Sequence, residues 1–169
     1  MKKQLLISFA LIAVFTVSAF AQTQSEEPKL DKASASKIVQ LLEESGHSYG
    51  KASANVWTVK FKGNNLDDVN VIVIGHEGML ILVSVVAEKK DYKASPELLM
   101  KLLRLNDDYD RLKVGIDDDG DMFVRIDLTL RVVDSQEFKT NVEQISAAAD
   151  EIQAVIKPYL LTPAKKSGK

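Results

Sequence analysis

The sequence predicts an α+β protein in two layers, helices against an antiparallel sheet, with the element order α-β-β-β-α-β-β-α. Three observations carry this. Apolar runs flank Gly75-His76-Glu77-Gly78 and again Asp117-Asp118-Asp119-Gly120-Asp121, each connection holding glycine, which marks two β-hairpins. Three other segments place apolar residues at helical spacing behind a capping side chain. From Ser95 to Leu160 the order is distinctive: a capped helix, a tight hairpin and a long helix.

The first helix is expected from about Lys32 to Ser45. Ile38, Leu41 and Leu42 form its apolar stripe, Asp31 or Ser34 caps its free amides, and Gly46 supplies a left-handed stop. From Asn55 to Lys62 the chain alternates, with Trp57, Val59 and Phe61 on one face, the period of a half-buried strand that Gly63-Asn64-Asn65 ends. The runs Val69 to Ile74 and Met79 to Val86 pair across the four residues from Gly75 to Gly78. Both are apolar on both faces. Val71 and Val73 point opposite to Ile72 and Ile74, and Leu80, Leu82 and Val86 opposite to Ile81, Val83 and Val85.

Ser95-Pro96-Glu97 starts the second helix with a hydroxyl cap, proline at the first helical position and an acid at the positive dipole end. It is expected to reach about Leu105, with Leu98, Leu99, Leu102, Leu103 and Leu105 as its stripe. The second hairpin is one-sided. Leu112, Val114 and Ile116 alternate up to the Asp-Gly turn and Met122, Val124, Ile126, Leu128 and Leu130 alternate away from it, leaving Lys113, Gly115, Phe123, Arg125, Asp127 and Thr129 outside. Asp134 with Glu137 reads as a capping box in which aspartate replaces the usual hydroxyl residue. Phe138, Val142, Ile145, Ala149, Ile152, Ile156 and Tyr159 follow at spacings of four and three. A coiled coil would show the same stripe, but Ala147-Ala148-Ala149 favours close approach to a sheet. Pro158 is expected to break this helix near its end.

The ends set the compartment. Lys2 and Lys3 precede an apolar run from Leu5 to Val17 and then Ser18-Ala19-Phe20-Ala21, the pattern of a signal peptide cleaved after Ala21; the run is shorter than the roughly 20 residues a spanning helix needs. The expected organisation is a signal peptide at 1–21, a disordered leader at 22–29, one α+β domain at 30–160 and a flexible basic tail at 161–169. The mature protein is expected to be exported, periplasmic or extracellular, with no membrane span after cleavage. With the signal go two lysines, so Lys+Arg falls from 22 to 20 against 24 Asp+Glu and the net charge moves from −2 to −4, which tells against nucleic acid as a partner. There is no cysteine, hence no lipid attachment through one, no disulfide and no thiol chemistry.

The order of elements, the stretch LLRLNDDYDRLKVGIDDDGDMFVRIDLTL and the acid-capped helix after it resemble the YbjN-like family over about Leu30 to Leu160. That resemblance implies the fold of type III secretion chaperones and a chaperone-like or regulatory protein, with no catalytic residues to carry over. An export signal sets this chain apart from many relatives and tells against a cytoplasmic secretion-chaperone or transcription-related role.

Catalytic and metal constellations are missing from the sequence. Asp117 to Asp121 cannot be an EF-hand loop, since Gly115 and Ile126 would fall where carboxylates are needed, and it reads as a solvated turn. His47 and His76 have no second imidazole at ligand spacing and are expected to be surface residues. Gly75-His76-Glu77-Gly78 lacks the spacing and the following helix of a phosphate loop, and no G-x-S-x-G elbow occurs. The acids Asp107, Asp108 and Asp117 to Asp119 read as solvated rather than as an acid-base pair. No enzyme activity, metal or cofactor is expected. Lys165, Lys166 and Lys169 are expected to aid solubility.

What remains is the doubly apolar hairpin. One face of a two-layer sheet is covered by helices, so one of its two sets faces water unless the first helix, the leader, a second copy or a partner covers it. The candidate partner or dimer face therefore comprises Val71, Ile72, Val73, Ile74, Leu80, Ile81, Leu82 and Val83, with the choice of face left open. The favoured reading is a non-enzymatic, extracytoplasmic chaperone-like module that binds a protein partner or forms a homodimer. The alternative is a small molecule or lipid held between helices and sheet.

Overall fold

In a computed structural model that describes residues 30–161, three helices are packed on a six-stranded antiparallel sheet. The expected signal peptide and leader, and the basic tail from residue 162, lie outside the described residues.

Helix α1 spans Lys32–Ser45 because both of its ends are chemically fixed. Asp31 accepts the amides of Ala33 and Ser34 at 2.9 and 3.0 Å, and Gly46 closes the helix in the left-handed region at φ 74°. Helix α2, Pro96–Asp108, starts at the Ser95 hydroxyl, which accepts from Leu98 N at 3.2 Å, and runs three residues beyond the expected end. Helix α3, Ser135–Ile156, starts at Asp134, whose carboxylate accepts from Glu137 N at 2.8 Å. Only half of the expected capping box forms. Glu137 turns away and accepts from Arg111 at 3.1 Å instead. Lys157–Tyr159 tightens into a 3-10 turn around Pro158, as a residue without an amide proton requires.

The strands are β1 Tyr49–Lys51, β2 Val56–Phe61, β3 Val69–His76, β4 Met79–Ala87, β5 Lys113–Ile116 and β6 Met122–Thr129, in the spatial order β1-β2-β3-β4-β6-β5. The second hairpin thus joins the first through β6, pairing Leu80 with Leu128 and Leu82 with Ile126. The β3–β4 connection is tighter than the four residues read from the sequence. His76 pairs with Met79, so Gly75 and His76 belong to β3, and Glu77 and Gly78 make the turn at φ 44° and 78°, the positive pair of a type I′ turn. Gly75 serves packing instead. A Cβ there would come within 2.7 Å of the side chains of Ile38 and Leu30, so its absence lets α1 and the preceding segment close over the sheet.

Helix α3 lies across β3, β4 and β6, with α1 beside it. Phe138, Val142, Ile145, Ala149, Ile152 and Ile156 are at most 1% exposed, so the long stripe packs on the sheet and not in a coiled coil. Helix α2 sits at the β5 end, where Leu98, Leu102 and Leu105 join the core. There Asn106 mimics a strand: its Oδ1 accepts from Val114 N at 2.8 Å and its Nδ2 donates to Val114 O at 3.1 Å. The acidic turn is also more than solvated. Asp117 Oδ1 accepts from Asp121 N, Asp121 Oδ1 accepts from Lys89 N, each at 2.8 Å, and the Tyr92 hydroxyl donates to Gly120 O at 2.6 Å. No helix among the described residues is long and apolar enough to cross a membrane.

Candidate functional site: the uncovered face of the sheet

Register decides which apolar set of the central hairpin meets water. Trp57 pairs with Val73, Val73 with Leu82 and Leu82 with Ile126, one row of a face that α3 covers. Val71, Val73, Leu80 and Leu82 are fully buried in it. They are core, and they leave the candidate partner face. The other four, Ile72, Ile74, Ile81 and Val83, point away from the helices and are half-buried.

Those four extend into a broader apolar field. One row runs Thr58, Ile72, Val83, Arg125, Lys113 and the next Val56, Ile74, Ile81, Asp127. Val85 extends it at 40% exposure, and its pair Phe123 lies over Gly115, where a Cβ would stand 2.8 Å from Cζ of the ring. Glycine in this edge strand thus gives the ring its seat. Among the described helices none packs on this side, so the half-burial comes from neighbouring side chains shielding one another across the pleat.

A charged border closes the field at the β5–β6 end. Asp127 accepts from Lys113 Nζ at 2.5 Å and from Arg125 Nε at 2.6 Å. Burial pushes the Asp127 carboxyl up, but those two bonds and their charges outweigh it, so its pKa lies below the usual carboxylate value. The carboxylate holds both cations along the rim rather than leaving them over the apolar rows.

Other residues singled out by the sequence stand apart from this face. His47 is not a simple surface residue: it packs edge-on against Phe61 with ring centroids 4.8 Å apart and its Nε2 lies 3.2 Å from Glu143 Oε1. His76 is exposed, with Nε2 3.9 Å from Glu77. Among the described residues no group of three His, Cys, Asp or Glu is placed to hold a metal ion. Tyr109 has the largest phenol shift, pushed up to about 12 by burial first and then by its 2.9 Å bond to Glu151, an arrangement that locks a proton rather than mobilising one.

The sequence reading missed a second apolar surface. Leu99 and Leu103, counted in the α2 stripe, are 43% and 65% exposed, with Met100 beside them at 52%. The signal was there: five leucines and a methionine in so short a helix make a stripe wider than one packed face can cover.

A sheet with helices on one side and an apolar face on the other is an α+β fold of the type III secretion chaperone kind. Structures of similar fold confirm the class: a chain of the heterodimeric ExoU-SpcU complex from the type III secretion system of Pseudomonas aeruginosa has a TM-score of 0.50 at 15% identity, covering 73% of this chain and 97% of its own. The ExsC-ExsE complex gives 0.50 at 14% identity, covering 71% and 93%, and the crystal structure of YbjN from E. coli gives 0.52 at 15%, covering 73% and 92%. The chain belongs to the YbjN family, whose description is "Putative bacterial sensory transduction regulator" and whose model matches residues 34–158. A search of curated proteins gave no match.

Proposed function

We propose that this protein is an exported, non-enzymatic binding module that holds an extended segment of a partner protein on the outer face of its sheet. The observation that carries the reading is the field of Ile72, Ile74, Ile81, Val83 and Val85, left uncovered by the described helices and bordered by a fixed ion cluster. Two structures of similar fold are of protein complexes, which supports protein rather than nucleic acid as the class of partner. The acidic balance supports the same choice. An extended segment suits the site because its alternate side chains seat in the rows of a pleated face.

The test places a photo-crosslinking residue at Ile81 and, as a control, at exposed Asp118, in protein expressed in its own cell envelope. A discrete adduct is expected from position 81 alone, lost when Ile74→Lys is added, with melting temperature unchanged. An adduct at twice the chain mass identifies a second copy as the partner. Equal adducts from both positions, or an Ile81 adduct indifferent to Ile74→Lys, would remove the sheet face from consideration. Export has its own measurement: intact mass of the native protein is expected to start at Gln22, and a chain that keeps Met1 in the envelope fraction contradicts it.

A further inference from the structure

The sheet parts in its middle. Pairing between β3 and β4 runs from His76 and Met79 to Ile72 and Val83 and stops there. Beyond that point β3 stays paired to β2 as far as Val69, and β4 to β6 as far as Ala87. The register shift between Val85 and Ala87 supplies the cause, because a bulge adds twist and swings its strand away from one neighbour. A cavity of about 750 Å³ lies at the split, bounded by Ile72 on the β3 side, by Val85 and Val86 on the β4 side, and by Gln153 of α3.

We propose that this cleft binds a small amphiphile, neutral or positively charged, with an apolar body and a hydrogen-bond-donating head, and that it rejects the corresponding acids. The volume falls in the range of about 300 to 1,000 Å³ that holds compact organic ligands. Apart from Asn70 its strand walls are apolar, and Leu160 and Leu161 extend them. Gln153 keeps its Oε1 buried with no hydrogen-bond partner among the described residues, an acceptor that a donor head would satisfy. Three carboxylates line the same cavity, Asp68, Glu88 and Asp91, against the single ammonium of Lys157. Lys62 and Lys90 already pair with the first two, which leaves Asp91 beside Lys157. The discrimination therefore rests on Gln153 Oε1, an acceptor that a carboxylate, having no proton to donate, leaves unsatisfied at the cost of its own desolvation. Neither Ile74 nor Ile81, on which the test of partner binding depends, lines this cavity, so either proposal can fail without the other.

Three probes with one chain and different heads separate the outcomes: dodecylamine, dodecan-1-ol and dodecanoate, titrated calorimetrically below micelle formation. The amine and the alcohol are expected to bind at a single saturable site, each at least about ten-fold more tightly than dodecanoate. In methyl and amide NMR spectra the shifts are expected at Ile72, Val85 and the Gln153 side chain. Val85→Trp, which fills the cleft from an exposed position, is expected to abolish binding, and Asn70→Trp on the other lip does the same should the first variant melt early. Absence of saturable binding by the amine and alcohol, equal affinity for dodecanoate, or shifts centred on Leu99 and Leu103 instead would each overturn the assignment.

Discussion

Val73→Lys is expected to yield no stably folded protein, while Ile72→Lys, one residue away, folds and keeps nearly its full melting temperature. Val73 is fully buried, paired with Trp57 on one side and Leu82 on the other beneath α3, and an ammonium there has neither water nor a carboxylate. An unpaired buried charge costs several kcal/mol against a total stability of about 5 to 15. At position 72 the lysine stem can lie along the outer face with its ammonium in solvent, so the loss is about 1 kcal/mol. Trp57, the only tryptophan in the chain and 1% exposed, reports the difference directly. Its emission should be red-shifted in the first variant and native in the second. Two folded variants would mean that the faces are assigned wrongly.

Asp150→Ala is expected to cost about 3 kcal/mol, a large effect for one side chain on a helix. From the buried middle of α3 its carboxylate accepts the backbone amides of Asn64, Asn65 and Leu66 at 3.0, 2.8 and 2.8 Å, and the Asn65 side chain at 3.1 Å. It clasps the whole β2–β3 connection. Gly63 completes the clasp, since a Cβ there would fall 2.2 Å from Asp150 Oδ1 and 2.6 Å from Leu66 O. Gly63→Ala should therefore act through the same contact, and the double variant should lose less than the two single losses combined.

The clasp also carries a pH signature. The Leu66 amide bond, followed by those of Asn65 and Asn64, lowers the Asp150 pKa from 3.8 in spite of burial. A carboxyl lowered on folding contributes stability that is fully present above its unfolded value and lost as pH falls through its folded value. Chemical denaturation followed from pH 5 down to about 2 should show wild type losing stability below about pH 4. Asp150→Asn should lose less over the same interval, and parallel curves would show that the carboxylate is not what titrates.

How much of this was legible in the sequence depends on how local each cause is. The helix starts were readable because Asp31, Ser95 and Asp134 act within three residues of themselves, as was the stop at Gly46. The alternation of the strands was readable for the same reason. Strand β1 was not, because Tyr49, Gly50 and Lys51 are all exposed and show no alternation of buried and exposed positions. Nor was the choice between the two apolar sets of the central hairpin, since Val73 and Ile72 are chemically alike and differ only in which one α3 covers, a contact made across more than half the domain. Glu77 hid the true turn, for glutamate at positive φ has no place among usual turn residues. Asp150 gave no local sign at all: its partners lie about 85 residues earlier in the chain.

The stitch between Asn106 and Val114 bears on how many chains can ever join edge to edge. A sheet offers two margins for growth, and a chain with both open can be extended without limit into a fibre. Here the β5 margin is stopped at the middle of its four residues by a side chain that uses up both outward backbone groups of Val114. Of the two outer margins among the described strands, the three-residue edge of β1 is the one left open. Two copies meeting along it therefore close into a finite pair, since each then presents outward only its stitched β5 margin.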